Sequence, residues 1–301
     1  MRVAESLGRP VLGSVRAVLC AVILFSAEFV FAQVAVLTYH NDSSRTGQNL
    51  QESILTPSSV NSTSFGLVGT LSVQGLVDGQ PLYVPNVDIN GSRHNVVYVV
   101  TEHDLVYAFD ADTLSRLWTV SVVGSGETPS DDRGCSQVTP EIGITSTPVI
   151  DPHSGPHGTI YLVAMTKDAS GNYHQRIHAL DLANGSESIG PTEIQPTYPN
   201  ATGALTFDPA QYKERAGLLI VNGVAYISFS SHCDNPPYNG WIIGYSQSSL
   251  QQVSVFNMTP NGSGGSIWMS EGASGRTVWK HLLPRCKWHI RLDAQQQRIP
   301  H

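Results

Sequence analysis

The stretch "VYAFDADTLSRLW", Val106 to Trp118, decides the fold class of this chain. Alternation with a period of two from Val106 to Ala108 is typical of a β-strand, and the cluster from Asp110 to Thr113 supplies carboxylates that cap a tight turn. A second strand then runs to the tryptophan. The stretch therefore predicts a β-hairpin, although any antiparallel all-β protein contains hairpins of this kind.

The same hairpin occurs twice more along the chain. "RIHALDLANGSESIG" spans Arg176 to Gly190, and "WIIGYSQSSLQQVSVFN" spans Trp241 to Asn257. The equivalent positions Ala108, Ala179 and Gly244 are 71 and 65 residues apart. Recurrence of one unit along a chain is the sequence signature of a repeat architecture.

Two further apolar runs precede each hairpin, so each unit has four predicted strands. They are "QPLYVPN" and "NVVYVVT", "STPVID" and "TIYLVAM", and "GLLIVNG" and "VAYISFS". The remaining residues are expected in loops such as Val123 to Thr139 and Thr192 to Pro209. Tandem four-stranded units without a helical period predict an all-β fold, a β-propeller. "GGSIWMS" begins a fourth unit, so about three complete blades form an incomplete ring.

The repeated residues resemble a known family. The pattern Ala-x-Asp-x-x-Thr/Asn-Gly-x-x-x-Trp, present from Ala108 to Trp118 with Leu114 at the glycine position, resembles the pyrroloquinoline-quinone repeat of quinoprotein-like propellers. "YHNDSSRTGQNLQESILTPSSV", "TPEIGITSTPVIDP" and "SHCDNPPYNGWIIGY" are similar to secreted bacterial propellers that carry these repeats. The resemblance covers His40 to about Ser270. It implies the fold but no single activity, because one propeller hosts many functions.

The N-terminus predicts export of the protein. Three arginines precede an apolar run from Ala17 to Ser26, and Ala32 offers a small residue for cleavage. Residues 1–32 are therefore predicted to be a secretory signal peptide, which places the protein outside the cytoplasm, secreted or periplasmic. A membrane anchor is the alternative, but Glu28 interrupts the segment, and a span needs about 20 apolar residues.

The charge of the predicted propeller, residues 33–272, limits its partners. This part contains 8 Lys and Arg against 21 Asp and Glu, a net charge of −13. Nucleic acids and anionic membranes both require clustered cations, so neither is an expected partner. We expect a protein or small-molecule ligand instead, and no stable membrane span after signal cleavage.

The tail, residues 273–301, departs from the repeat. It has 6 basic residues and 1 acidic residue, with no alternation and no turns in register. A separate domain would need more than 29 residues. Reading the codons one nucleotide forward from Trp279 permits Gly-Asn-Ile-Tyr-Phe, a strand of the repeat type. The tail is therefore predicted to be a disordered product of a frameshift, and the chain with its incomplete ring is expected to aggregate.

Two cysteines lie in the predicted propeller. Cys20 belongs to the signal peptide and Cys286 to the tail, which leaves Cys135 and Cys233 as a disulfide candidate in an exported protein. Two buried free thiols are the alternative. Neither cysteine belongs to a Cys-x-x-Cys unit, so the sequence predicts no structural metal site and no c-type haem.

Polar residues that occupy turns are the candidates for a site at the mouth of the propeller channel. Turns from different blades converge around the axis, where carboxylates and imidazoles form metal or ligand sites. The alternative is that these side chains only cap backbone N–H groups. The candidates are Glu102, His103, Asp104, Glu141, His232 and Asp234.

The stretch Tyr39 to Asn49 also places His, Asp, Ser and Arg close together. A catalytic triad needs a nucleophile and an oriented base that converge in space, and no such arrangement is evident here. We therefore expect an N-terminal strand and loop that pair with the last blade.

The predicted function depends on whether the sequence contains the residues that a catalytic quinoprotein needs. A catalytic quinoprotein holds its quinone over the channel, coordinates calcium and offers a carboxylate base. Such enzymes commonly stack adjacent cysteines on the quinone, and this sequence has no adjacent cysteines and no full calcium set. The sequence therefore predicts no catalytic residue and neither pyrroloquinoline quinone nor calcium. The leading hypothesis is an incomplete copy of a secreted, non-catalytic propeller that binds a ligand or partner or forms part of an envelope scaffold; a fragment of a quinoprotein oxidoreductase dependent on pyrroloquinoline quinone is the alternative.

Overall fold

Three antiparallel sheets organise the chain in the computed structural model, which describes residues 34–268. This part contains seventeen strands and no helix, and so no helix within it is long and apolar enough to cross a membrane. The predicted signal peptide, residues 1–32, and the predicted tail, residues 273–301, lie outside the described residues. The all-β fold class is confirmed.

The first sheet is the unit that contains the hairpin from Val106 to Trp118. Its strands pair in chain order, and Ala108 lies opposite Trp118 in the last pair. The strands are β1 (Leu82–Ile89), β2 (Ser92–Val100), β3 (Leu105–Asp110) and β4 (Arg116–Ser121).

The second sheet has four strands of the predicted unit and two added strands. Strand β8 pairs with β7 over one half of its length and with β5 over the other, and β9 and β10 follow on its opposite edge. The six strands are β5 (Glu127–Asp131), β6 (Glu141–Ile142), β7 (Val149–Asp151), β8 (Thr159–Asp168), β9 (Tyr173–Asp181) and β10 (Glu187–Glu193).

The third sheet repeats this arrangement, and a small hairpin, β11 with β12, precedes it. Strands β13 and β14 share one edge of β15, and β16 and β17 complete the sheet. The hairpin consists of β11 (Thr197–Asn200) and β12 (Gly203–Thr206). The five strands of the third sheet are β13 (Tyr212–Glu214), β14 (Leu219–Val221), β15 (Val224–Ser231), β16 (Trp241–Ser246) and β17 (Gln252–Asn257).

The structure corrects the loop predictions. The range Val123 to Thr139 contains β5, and the range Thr192 to Pro209 contains the β11–β12 hairpin. The reason for β5 is the length of β8, which has 10 residues while β7 has only 3. Half of one edge of β8 would otherwise leave its backbone groups unpaired, and β5 supplies their partners.

Two predicted strands at the ends of the propeller are also wrong. Within the described residues, Gly265 to Trp268, part of "GGSIWMS", forms no strand, although the Ile267 N–H donates to the Phe229 carbonyl of β15 at 3.3 Å. The stretch Tyr39 to Asn49 forms turns and loop instead of a strand.

The segment before these turns contacts the first strands of all three blades. Val36 exchanges backbone hydrogen bonds of 2.8 and 2.9 Å with Tyr83 of β1, and the Leu37 carbonyl accepts one of 2.8 Å from Ile150 of β7. The Thr38 hydroxyl donates to the carbonyl of Leu218, next to β14, at 3.3 Å. The segment therefore joins the inner edges of the three sheets.

The buried guanidinium of Arg45 reinforces this junction. It donates hydrogen bonds of 2.8 Å to the carbonyls of Tyr39 and Leu218, and a longer one of 3.2 Å to the carbonyl of Gly217. Four backbone and hydroxyl acceptors, the Thr38 hydroxyl included, replace the water that the buried cation loses. Arg45 thereby fixes the N-terminal turns to the third blade.

The core lies between successive blades. In the first interface the Trp118 indole donates to the carbonyl of Leu182 at 3.1 Å, and the Tyr98 hydroxyl donates to the same carbonyl at 2.9 Å. A Cβ at Gly185 would lie 2.8 Å from the Trp118 ring, so the glycine permits this close approach. Aromatic side chains, including Phe229 and Trp241, fill the second interface.

The equivalent turn residue in the three blades has a left-handed backbone, with φ of +61° at Leu114, +71° at Gly185 and +50° at Leu250. We predict that Leu114→Gly stabilises the protein slightly, by no more than about 1 kcal/mol, because glycine relieves the left-handed strain. Leu250 is fully buried in the core, so Leu250→Gly should destabilise it by about 2–4 kcal/mol.

Urea unfolding of the two variants tests this pair. Equal effects of both substitutions would show that backbone strain does not distinguish the two turns.

Candidate functional site

Side chains from all three blades meet at one end of the sheets, which we call the mouth. The Glu102 carboxylate, in the turn between β2 and β3, accepts hydrogen bonds from the Gly143 N–H at 2.8 Å and the Thr145 hydroxyl at 3.0 Å. Glu214 of β13 accepts one from the Ser146 N–H at 3.1 Å. The segment 143–146 of the second blade therefore connects the carboxylates of the first and third blades.

The backbone of the Glu102 turn determines where its side chains point. The Asp104 N–H donates to the Thr101 carbonyl at 3.1 Å, and Asp104 has a φ of +53°. Asparagine and aspartate tolerate this left-handed conformation better than other side chains do. The tight turn places three consecutive polar residues, 102–104, at the boundary with the second blade.

His103 is hydrogen-bonded to Glu141 of the second blade. Its Nδ1 lies 2.8 Å from Glu141 Oε1, and its Nε2 lies 2.9 Å from the side-chain nitrogen of Gln74. The Gln74 amide nitrogen can only donate, so Nε2 accepts and the proton is assigned to Nδ1, where it is donated to Glu141. Both imidazole nitrogens are thus used, and His103 holds Glu141 in place.

Asp104 is buried without any hydrogen-bond partner for its carboxyl group. The residue has 0% exposure, and neither Oδ1 nor Oδ2 has a partner among residues 34–268. Burial, followed by the nearby Glu102, Glu141 and Glu127 carboxylates, raises the pKa of Asp104 well above its ordinary value. Burial therefore favours the neutral, protonated form of the Asp104 carboxyl group.

Two further buried carboxyl groups are also shifted towards the neutral form. Burial, and then the nearby Asp78, raise the pKa of Glu102 to about 8, against the hydrogen bonds from Gly143 and Thr145, which lower it. Burial likewise raises the pKa of Glu214 to about 8. Their outer oxygens, Oε1 in both residues, have no partner in the described part of the chain. A protonated carboxyl group both donates and accepts, so the mouth offers unused hydrogen-bonding capacity.

A cavity of about 400 Å³ opens beside these carboxyl groups. Lys213 of β13 and Arg215 reach it from the third blade, and Gln137 reaches it from the second. The Lys213 residue is only 2% exposed, and its ammonium donates one long hydrogen bond, 3.5 Å, to Gln137 Oε1. The full lining is Asp78, Gln137, Val138, Lys213, Arg215 and Trp268.

The third-blade turn contains the remaining predicted residues. His232 is buried, its ring nitrogens have no partner in residues 34–268, and burial, then the Lys213 and Arg133 charges, lower its pKa to about 4. Beside it Cys135 and Cys233 form a disulfide with a Cα–Cα distance of 6.0 Å, which joins the second and third blades. The two sulfurs and the His232 ring lie within 4.8 Å of one another.

Asp234 does not join the mouth carboxylates. It is exposed, with a φ of +52°, and its Oδ1 accepts a hydrogen bond of 2.6 Å from the Ser231 hydroxyl. This is the turn-capping role that a carboxylate at such a position commonly has.

The structure thus brings together four of the six predicted residues, Glu102, His103, Asp104 and Glu141. Sequence reasoning missed Lys213, Glu214 and Arg215, although a signal was present. "YKER" places three consecutive charges directly before the apolar run "AGLLIV". In a chain of period-two strands, alternation turns at least one of three consecutive charged residues towards the interior.

No protein-family model and no curated protein matches the chain. Among solved structures, the quinohemoprotein alcohol dehydrogenase from Comamonas testosteroni is similar over 74% of this chain and 27% of its own, with 17% identity and a TM-score of 0.48. Quinohemoprotein alcohol dehydrogenase ADHIIG from Pseudomonas putida HK5 matches 74% of this chain and 26% of its own, with 16% identity and a TM-score of 0.48. BamB from Moraxella catarrhalis shows 15% identity and a TM-score of 0.26 over 60% of this chain and 53% of its own.

The chain therefore spans about a quarter of the length of the two dehydrogenases that it matches. Similarity of this degree transfers no activity, cofactor or partner to the chain. The fold class follows from its own three sheets.

The mouth has a steric requirement at Gly143. A Cβ there would lie 2.7 Å from Asp104 Oδ1, whereas a Cβ at Gly190, on β10, would meet nothing within 4 Å. We predict that Gly143→Ala destabilises the protein by about 1–3 kcal/mol, because the added methyl overpacks the turn, while Gly190→Ala leaves stability nearly unchanged.

Urea unfolding of both variants measures the difference. Equal stability of the Gly143→Ala and Gly190→Ala variants would contradict the prediction. It would show that the Glu102 turn rearranges around the added methyl group without loss of stability.

Proposed function

We propose that this chain is part of a non-catalytic β-propeller that binds a ligand at the mouth built by its three blades. The observation that supports the proposal is a set of buried polar atoms that have no partner within residues 34–268, on Glu102, Asp104, Glu214 and His232. Each unsatisfied buried polar group costs about 1–3 kcal/mol of stability. Such groups are rare in folded proteins, and a role in binding explains their retention.

The proposed location is outside the cytoplasm, in the periplasm or secreted. Support comes from the predicted signal peptide and from the Cys135–Cys233 disulfide between two blades, since disulfides persist in oxidising compartments. A role as an envelope scaffold that binds a partner protein is the second form of the same proposal.

The residues present do not fit a quinoprotein active site. The sequence has no adjacent cysteines to stack on a quinone. The mouth carboxylates do not bring three ligand atoms together: the one such group found within residues 34–268 consists of Cys135, His232 and Cys233, whose sulfurs are bonded to each other. Calcium requires about six to eight oxygen ligands. We therefore propose no quinone, no calcium and no redox step for this chain.

We predict that the protein does not retain pyrroloquinoline quinone after incubation with calcium and excess quinone. Gel filtration followed by absorbance spectroscopy measures retention. Quinone that coelutes with the protein at one equivalent would overturn the non-catalytic proposal and favour the oxidoreductase alternative.

Ligand binding at the mouth is tested by a thermal-shift screen of small acids, amines and neutral sugars. A compound at 100 times its Kd should stabilise the protein by about 2.7 kcal/mol, and Glu214→Leu should abolish that shift. The matched control is Asp112→Leu, because Asp112 is an exposed carboxylate in the turn between β3 and β4.

Two results would contradict the proposed function. One is the failure of every compound in the three classes to stabilise the protein. The other is equal loss of stabilisation in the Glu214 and Asp112 variants.

A further inference from the structure

The cavity beside the mouth has an unusual electrostatic character for this chain. Most buried or half-buried cations here have acceptors close by: Arg176 pairs with Glu127 and Glu193 at 2.7 Å, and Arg45 has four oxygen acceptors. Lys213 and Arg215 differ. Among the residues that the structure describes, neither has a carboxylate oxygen within 4 Å of its side-chain nitrogens.

Leaving these two cations unpaired is costly, because a buried ammonium loses most of its hydration. The cost falls on a propeller with 8 basic against 21 acidic residues, where carboxylate partners are abundant. Both cations line the same cavity. Both observations indicate that the missing charge is supplied by an anion outside the described residues 34–268.

The neighbouring acids do not cancel this charge at neutral pH. Burial raises the pKa of Glu102 and of Glu214 to about 8, so both are mainly protonated at pH 7. Asp78, which is exposed, is the carboxylate that lines the cavity itself. With Lys213 and Arg215 charged, the cavity carries a net positive charge.

The remaining lining selects the rest of the ligand. Trp268 and Val138 supply an aromatic and an aliphatic surface, and Gln137 supplies an amide. A volume of about 400 Å³ accommodates a molecule of one or two rings. An inorganic anion would leave the indole and the valine without contact.

We propose that this cavity binds an organic carboxylate, with the carboxylate group between Lys213 and Arg215 and a ring against Trp268. Arginine matches carboxylates with two parallel hydrogen bonds, and lysine adds a second positive charge. The inference rests on the proposed function, since it names the class of ligand bound at the mouth.

The test uses isothermal titration of the full chain with three probes: 2-naphthoate, its neutral analogue 2-naphthamide, and inorganic phosphate. We expect 2-naphthoate to bind at least tenfold more tightly than either of the others. Lys213→Met and Arg215→Gln should each weaken naphthoate binding about tenfold to hundredfold, the usual effect of losing a charged hydrogen bond. Neither should lower the Tm, because each removes an unpaired charge.

Arg116→Gln is the matched control, since Arg116 lies exposed on β4 and outside the cavity lining. It removes the same charge and should leave binding unchanged. Raising the pH from 7 to 9 should weaken naphthoate binding, because Glu102 and Glu214, whose pKa burial raises to about 8, become negative; burial also lowers the pKa of Lys213, which acts in the same direction.

The outcomes separate this inference from the proposed function. Equal affinity for naphthoate and naphthamide, or naphthoate binding unaffected by both variants, would overturn the organic carboxylate but leave ligand binding at the mouth intact. Phosphate binding as tight as naphthoate would refute the ring contact. If the thermal-shift screen finds ligands only among amines or sugars, the inference fails and the proposed function stands; if it finds none, both fail.

Discussion

The short segment of residues 36–38 is the junction on which the site depends. Its backbone and one hydroxyl bond to Tyr83, Ile150 and Leu218, beside the first strands of three different sheets. Each sheet buries one face against the next through side chains such as Trp118, but packing alone permits sheets to slide. Directional hydrogen bonds to an edge of each of the three sheets prevent this sliding and fix how far each sheet extends relative to the others. The turns that follow those strands are thereby placed as well.

Because the turns have fixed positions, buried polar groups can be hydrogen-bonded across the blades. Glu102 accepts two hydrogen bonds from the second blade, and Glu214 accepts one from the same segment. These bonds hold the carboxyl groups away from water, where their neutral forms are favoured. Within residues 34–268 the Asp104 carboxyl group receives no such bond, and its backbone is held by the turn and by the Val122 N–H, which donates to the Asp104 carbonyl at 3.0 Å. The mouth is therefore assembled from backbone constraints, and its chemical character follows from burial.

The sequence predicted the architecture well because the repeat is a local property. Strand pairs such as β3–β4 and β8–β9 follow from alternation and turn residues within about 20 positions. Strand β5 could not be predicted in this way, since it exists to cover the unpaired half of β8, a requirement set by the length of another strand. The same limit applies to the site. Glu102 was found because it occupies a turn, whereas Lys213 and Glu214 are in a short strand whose burial depends on the neighbouring blade.

Burial of the mouth acids also sets how the fold responds to pH. For Glu102 and Glu214 the folded-state pKa, about 8, is above the ordinary value of 4.5, so their contribution to stability is fully present below pH 4.5 and is lost as pH rises through 8. Glu127 has the opposite sign: its hydrogen bonds with Arg176 lower its pKa to about 2, so its contribution is present above pH 4.5 and lost as pH falls through 2. Ionisation of the mouth acids would place negative charge beside Lys213 and Arg215 and supply internally the counter-charge that an anionic ligand brings. The protons that stabilise the folded mouth are thus the same ones that would keep the proposed anion site positive, so stability and the proposed affinity for anions would share one physical origin.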